Sequence, residues 1–231
     1  IVAVAFSVKR KNKLVPKGVQ NLMEMVVEFF LDFFDSITGS RKKSEMFFPF
    51  IFAFFSYILV SNWMGLLPGV GTIGGYVNEG GHSTFVALFR GGTADLNTTL
   101  ALATIAVVAS HIIGVMSIGV WHHINKFFNF KAIAEIPKKF KDDKLVLMVN
   151  PVVVLASLLE IVTEIAKVAS LYFRLFGNVF AGEVLLATMS AMLAFGLPLP
   201  FMFLEVLVGA VQALVFALLT LSYLVMATEK H

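Results

Sequence analysis

The sequence predicts an all-α integral membrane protein that crosses the bilayer several times. Three observations carry this reading. Hydrophobic residues make up 58% of the chain and charged residues only 14%, against about 25% charged in soluble domains, and the mean hydropathy is +0.86. The apolar residues gather into runs over 46–67, 96–122, 151–195 and 201–228, each long enough for the roughly 20 residues of a spanning helix. Lys and Arg concentrate in two of the connections, the asymmetry that orients multi-pass proteins. The 24 Phe residues suit lipid-facing surface and helix packing, and the absence of Cys excludes disulfides, thiolate nucleophiles and thiolate metal sites.

Residues 1–8 are expected to be the end of a truncated first span. Their apolar stretch is too short to cross, and Lys9, Arg10, Lys11 and Lys13 follow it, whereas in a signal peptide the charges come first. Over 19–38 the polar residues Gln20, Asn21, Glu24, Glu28, Asp32 and Asp35 recur at helical spacing among apolar ones, which predicts an amphipathic helix lying in the membrane plane. Its stripe is acidic, so it should meet protein partners, solvent or the helix's own basic flanks instead of lipid phosphates.

The 46–67 span carries Asn62 and ends in Pro68-Gly69; the Asn is suited to bonding a neighbouring helix. The glycine-rich 68–95 stretch has no Gly-Lys-Ser/Thr, so it reads as a connecting loop and not a phosphate cradle. Thr93, Asp95 and Asn97 are N-cap candidates for the 96–122 span. His111, His122 and His123 lack metal-ligand spacing and are assigned no chemistry; no metal or cofactor is expected. The 124–149 connection carries six lysines, among them Lys138, Lys139 and Lys141, and 9–43 is also basic, whereas 68–95 has only Arg90. The basic loops and the C-terminus are therefore expected in the cytoplasm and the glycine-rich loop outside.

The 151–195 run would be about 68 Å long as one helix, against a hydrocarbon core of about 30 Å. It is expected to form a single strongly tilted helix, unbroken at Gly177 and Gly182, returning through a turn at 196–200 into a second long helix over 201–228. Glu160, Glu164, Lys167, Arg174 and Asn178 fall within an arc of about 80° on this helix, and that face is expected to look at a curved partner. An arginine at mid-bilayer costs at least about 2.5–3.5 kcal/mol. Since it cannot lose its proton, Arg174 acts as a fixed positive charge and calls for a carboxylate. Glu160 and Glu164 are too far along the helix to provide one.

The stretch Ser170-Leu-Tyr-Phe-Arg-Leu-Phe-Gly-Asn-Val-Phe-Ala-Gly-Glu183 resembles the signature of subunit a of the F-type ATP synthase, the stator subunit that conducts ions past the rotor ring. The resemblance extends to SNWMGLLPG at 61–69, TADLNTTLALA at 93–103 and the terminal VQALVFALLTLSYLVMA. It implies a bacterial inner-membrane protein whose two long tilted helices face the rotor c-ring. The other implied partners are peripheral-stalk b subunits, the soluble ATPase sector and membrane lipid, with no nucleic acid. It further implies that Arg174 faces an acidic side chain on each rotor subunit, and that Glu160, Arg174, Asn178, Glu183, Glu205 and Gln212 lie on the ion path. Relatives place a histidine at one of the positions of Glu183 and Glu205; here both are glutamate.

The polar residues divide accordingly. Asn178, Glu183, Glu205, Gln212 and Asp95 are assigned to an outer half-channel, and Glu160, Thr163, Glu164, Lys167 and Ser170 to a cytoplasmic one. Asp95 reads equally as a cap, and Asn178, Gln212 and Ser170 could be packing hydrogen bonds. No nucleotide motif is present, so nucleotide chemistry would belong to other subunits. An ion-coupled secondary transporter is the alternative, but it should show two halves related by a repeat, and none is found. An intramembrane hydrolase would need a Ser-His pair or metal cluster, and none stands out.

Overall fold

The computed structural model describes residues 18–67, 70, 73–79, 82–88, 91–120, 144–193 and 196–228. The expected first span over 1–8, the stop at Pro68-Gly69, His122, His123 and most of the basic 124–149 connection lie outside the described residues. Five α-helices appear among the described residues: α1 Val19–Thr38, α2 Arg41–Gly65, α3 Leu96–Ile118, α4 Lys144–Met192 and α5 Pro198–Thr228. Strands β1 Gly74–Glu79 and β2 His82–Ala87 and a 3-10 turn at Gly92–Ala94 lie between α2 and α3. Four helices are long and apolar enough to cross a membrane: α2, α3, α4 over Leu159–Met192, and α5. The protein is an all-α, multi-pass membrane protein.

The chain divides into two units, Ile1–Phe50 and Ile51–His231. In the first, α1 stops at Gly39, whose φ of 66° no β-carbon-bearing residue adopts cheaply, and whose N–H donates to the Asp35 carbonyl at 2.9 Å. Across this turn the Thr38 and Ser44 hydroxyls meet at 2.7 Å. Arg41 Nη1 donates to Asp32 and Asp35, each at 2.9 Å, so part of the acidic stripe is answered by the helix's own basic flank. Such solvent-exposed pairs contribute little to stability. The second helix begins at Arg41, ahead of the expected 46, and carries Pro49 inside it. That proline has no N–H to give the preceding turn.

In the second unit α5 is the hub. Its buried residues include Gly209, Ala213 and Ala217, one turn apart, and such small side chains let helix backbones approach closely. Against them α2 sets Phe54, 5.6 Å from Phe216 between ring centroids, and Asn62, whose Nδ2 donates to the Gly209 carbonyl at 3.1 Å. A β-carbon on Gly209 would come within 3.2 Å of Asn62 Cβ. Trp63 Nε1 donates to the Val206 carbonyl at 3.1 Å. Partner numbers on α5 fall as those on α2 rise, so the two helices are antiparallel. Helix α3 buries Thr99, Ala103, Ala106, Val107, Ser110 and Gly114, another face of small residues, and packs on both α4 and α5.

Besides the early start of α2, α4 begins at Lys144, ahead of the expected 151, and two connections differ from the sequence expectation. The 68–95 stretch contains an antiparallel hairpin, with Tyr76 opposite Phe85 and Val77 opposite Thr84; β-branched and aromatic residues favour strands, while glycines on either side disfavour helix. The return helix starts at Pro198, inside the expected 196–200 turn. A helix's first turn has no intrahelical use for its N–H groups, so prolines are accommodated there. By contrast α4 runs as one helix of 49 residues straight through Gly177 and Gly182.

Candidate functional site

The polar side chains of α3, α4 and α5 collect at two levels, with Arg174 between them. On α4, Glu164 lies about 15 Å to one side of Arg174 and Glu183 about 14 Å to the other, at 1.5 Å per residue. As residue numbers rise along α4 the partners on α5 fall, Tyr223 near Lys167, Gln212 at Asn178 and Glu205 at Gly182, so these helices are also antiparallel.

At the first level, Glu164 is held on both oxygens. Lys167 Nζ donates to Oε1 at 2.6 Å, and His111 Nε2 from α3 lies 3.2 Å from Oε2. The lysine also stands 5.2 Å from the Tyr223 ring centroid, a cation–π distance. Glu164 and Lys167 are only 18% and 19% exposed, so a lone charge there would be expensive and each is placed against its opposite. Thr163 donates to the Leu159 carbonyl at 2.8 Å, which occupies its hydroxyl within its own helix. Ser170 is exposed and Glu160 half-buried.

At the second level, Glu183 and Glu205 line one cavity of about 40 Å³ with Ser61, Asn62 and Thr93. That volume admits about two or three waters, and the lining offers them polar partners. Thr93 Oγ1 donates to Asn62 Oδ1 at 2.7 Å, so the 3-10 turn and α2 close the cavity's wall. Glu183 is within electrostatic reach of Glu205. The Glu205 carboxyl lies on the bare backbone of Gly182, where a β-carbon would overlap it. A side chain at 182 would make this carboxylate, the far end of a flexible side chain, move aside. Glu183 lies nine residues before the end of α4 and Glu205 seven after the start of α5, so the two carboxylates come together with a stagger of only about half a turn.

Between the levels, Asn178 Nδ2 donates to Gln212 Oε1 at 2.7 Å. Gln212 is 4% exposed, and its Nε2 has no hydrogen-bond partner among the described residues. Arg174 is exposed, and no carboxylate among the described residues pairs with it. The polar face of α4 is therefore divided. Glu164, Lys167 and Asn178 turn to α3 and α5, correcting the expectation that the whole face looks outward at a partner, and Arg174 remains exposed. Asp95 is the cap of α3: its Oδ1 accepts from the Asn97 N–H at 3.0 Å and its Oδ2 from Thr98 Oγ1 at 3.5 Å.

Sequence reasoning missed His111 and Thr93 as members of these clusters. Neither residue type carries a signal by itself, because its partner is on another helix and only the packing register brings them together. Asn62 was legible as a bond to a neighbouring helix, though not which one.

Over residues 1–225 the chain matches the family described as ATP synthase A chain. It is 37% identical to an ATP synthase subunit a of Syntrophobacter fumaroxidans, covering 94% of this chain and 74% of that one. It is 30% identical to an ATP synthase subunit a of Moorella thermoacetica, covering 100% of this chain and 86% of that one. A third similar protein, the ATP synthase subunit a of Desulfotalea psychrophila, is 35% identical over 94% of this chain and 75% of its own length.

Proposed function

Since the chain belongs to the ATP synthase A chain family, we propose that it is the proton-conducting stator subunit of a bacterial F-type ATP synthase, with Arg174 as the fixed charge between two half-channels. The observation that carries this reading is an exposed arginine in a membrane-crossing helix, with no carboxylate partner among the described residues and a polar cluster to either side. An arginine so placed calls for an acidic group from outside the chain. A rotor-ring carboxylate fits. In lipid it must be neutral, because desolvation penalises the anion, and beside a guanidinium the anion is favoured, so the proton leaves.

The outer half-channel is the cavity of Glu183 and Glu205, continued toward Arg174 by Asn178 and Gln212, with Asp95 at the mouth in its capping role. The cytoplasmic half-channel runs along Glu160, Thr163, Glu164, Lys167 and Ser170. A proton enters on one side of Arg174, rides the ring and leaves on the other, and the arginine blocks the direct route. Each charge crossing 100 mV releases about 2.3 kcal/mol, so several must pass per nucleotide made on the soluble sector. Partners are the rotor c-ring, peripheral-stalk b subunits and that sector. α1 lies in the membrane plane, the basic loops and the C-terminus are cytoplasmic, and α4 and α5 are strongly tilted, since upright they would overrun a core of about 30 Å.

Affinity purification of the tagged chain from its membranes in mild detergent is expected to recover a ring of small hairpin proteins, each with one membrane carboxylate, together with a soluble ATPase. Recovery of the chain as an isolated bundle would sink the reading. Gly182→Ala gives a sharper test of the outer path. Alanine raises helix propensity by about 1 kcal/mol, so α4 does not suffer, but the added carbon displaces the Glu205 carboxyl. ATP-driven pumping by the assembled complex is expected to fall, by less than the roughly 100- to 10,000-fold that losing a positioned acid–base group costs. An unchanged rate means that Glu205 carries no protons from this position.

A further inference from the structure

The pairing of His111 with Glu164 has no role in the half-channel scheme as stated above, and the chemistry at that contact is specific. His111 belongs to α3, Glu164 and Lys167 to α4, and Tyr223 to α5, so one charged cluster joins three helices. Histidine is the side chain that ordinarily exchanges its proton between about pH 5 and 8. Its Nε2 is 3.2 Å from Glu164 Oε2, while Lys167 holds the other oxygen. His111 is 30% exposed and Glu164 18% exposed, so the ring is the more accessible of the two and the carboxylate lies deeper.

We propose that His111 and Glu164 form a proton relay in the cytoplasmic half-channel, with His111 as the more accessible proton-exchanging group. This rests on the stator reading and deepens it. In the step, the Nε2–H bond of the imidazolium breaks and an O–H bond forms on Glu164 Oε2, so both partners become neutral. Glu164 then yields the proton to water in the path, which restores the carboxylate, and the ring regains a proton from water. In the opposite direction each transfer reverses. Lys167 keeps Oε1 occupied and so directs the exchange through Oε2, and Tyr223 holds the lysine in place. The other charged groups on this side of α4 are Glu160, one turn before Glu164, and Arg174, which is within electrostatic reach of Tyr223.

A purely structural contact between α3 and α4 needs only a hydrogen bond, and that gives the test. His111→Gln keeps an N–H donor for Glu164, and Glu164→Gln keeps a carbonyl acceptor for His111, but neither amide accepts and releases protons in this range. The assembled complex is reconstituted in liposomes, and ATP-driven pumping is followed over about pH 5 to 8. Each variant is expected to pump about 100-fold or more slowly and to lose the pH-dependent step seen in the parent. The double variant should be no slower than the worse single, because the two residues act in series. A parental rate in His111→Gln overturns the relay. So does a reduced rate with an unaltered pH profile, or losses that multiply in the double variant. Arg174→Ala in the same preparation separates the two levels of the argument. If it pumps, the stator reading fails; if it is silent while His111→Gln is normal, only the relay fails.

Discussion

Arg174→Ala is expected to abolish coupled proton pumping while the complex still assembles. The separation of the two effects follows from where the side chain lies. Arg174 is exposed, and among the described residues no carboxylate pairs with it, so removing it opens no core cavity and strands no buried charge. In a membrane-crossing helix its loss removes an insertion cost and no stabilising contact within the described residues. The functional loss is of another size. An opposite charge beside a carboxylate lowers its pKa by about 1–3 units, which is a bias of about 10- to 1,000-fold toward release of the proton. On the proposed reading, without it the rotor carboxylate has no reason to deprotonate at the stator, and neither half-channel is emptied or filled in turn. Arg174→Lys tests whether charge alone suffices. A lysine keeps the charge but not the rigid fork of donors, so it should assemble and pump poorly. Normal ATP-driven quenching of a pH dye by assembled Arg174→Ala complexes would overturn the assignment.

The spans and the stripe of α4 were legible in the sequence because both are local. Apolar runs longer than a bilayer require helices, and the spacing of Glu160, Glu164, Lys167, Arg174 and Asn178 places them on one face whatever lies opposite. What lies opposite was not legible. His111 reaches Glu164 only because α3 and α4 pack in one register, and Thr93 reaches Asn62 only because the hairpin returns the chain to α2. Asp95 shows the opposite case, since capping is decided by the next few residues and could be anticipated. The β1–β2 hairpin was hidden by its glycines, which suppress helix and strand signals alike, and the start of α5 at Pro198 by a proline pair that reads as a turn.

Neutralising both Glu183 and Glu205 is expected to reduce proton uptake from the outer side by about 100-fold or more, the lower range for removing acid–base groups, with either single change much milder. The two carboxylates share a cavity of about 40 Å³ whose other polar lining is Ser61, Asn62 and Thr93. Those three can orient water, but none exchanges protons near neutral pH. Two carboxylates lining one cavity give its waters two groups able to take up and release a proton. Glu183→Gln or Glu205→Gln leaves one acid able to load from the waters, so flux should slow and its pH profile change shape. Glutamine nearly matches the volume of glutamate, so the double variant keeps the packing at Gly182 and the cavity while removing every titrating group lining it. Flux into reconstituted liposomes across a series of outer pH values separates the outcomes. If the double variant conducts with the parental rate and profile, protons reach Arg174 by another route, and the two glutamates are polar contacts of the helix pair.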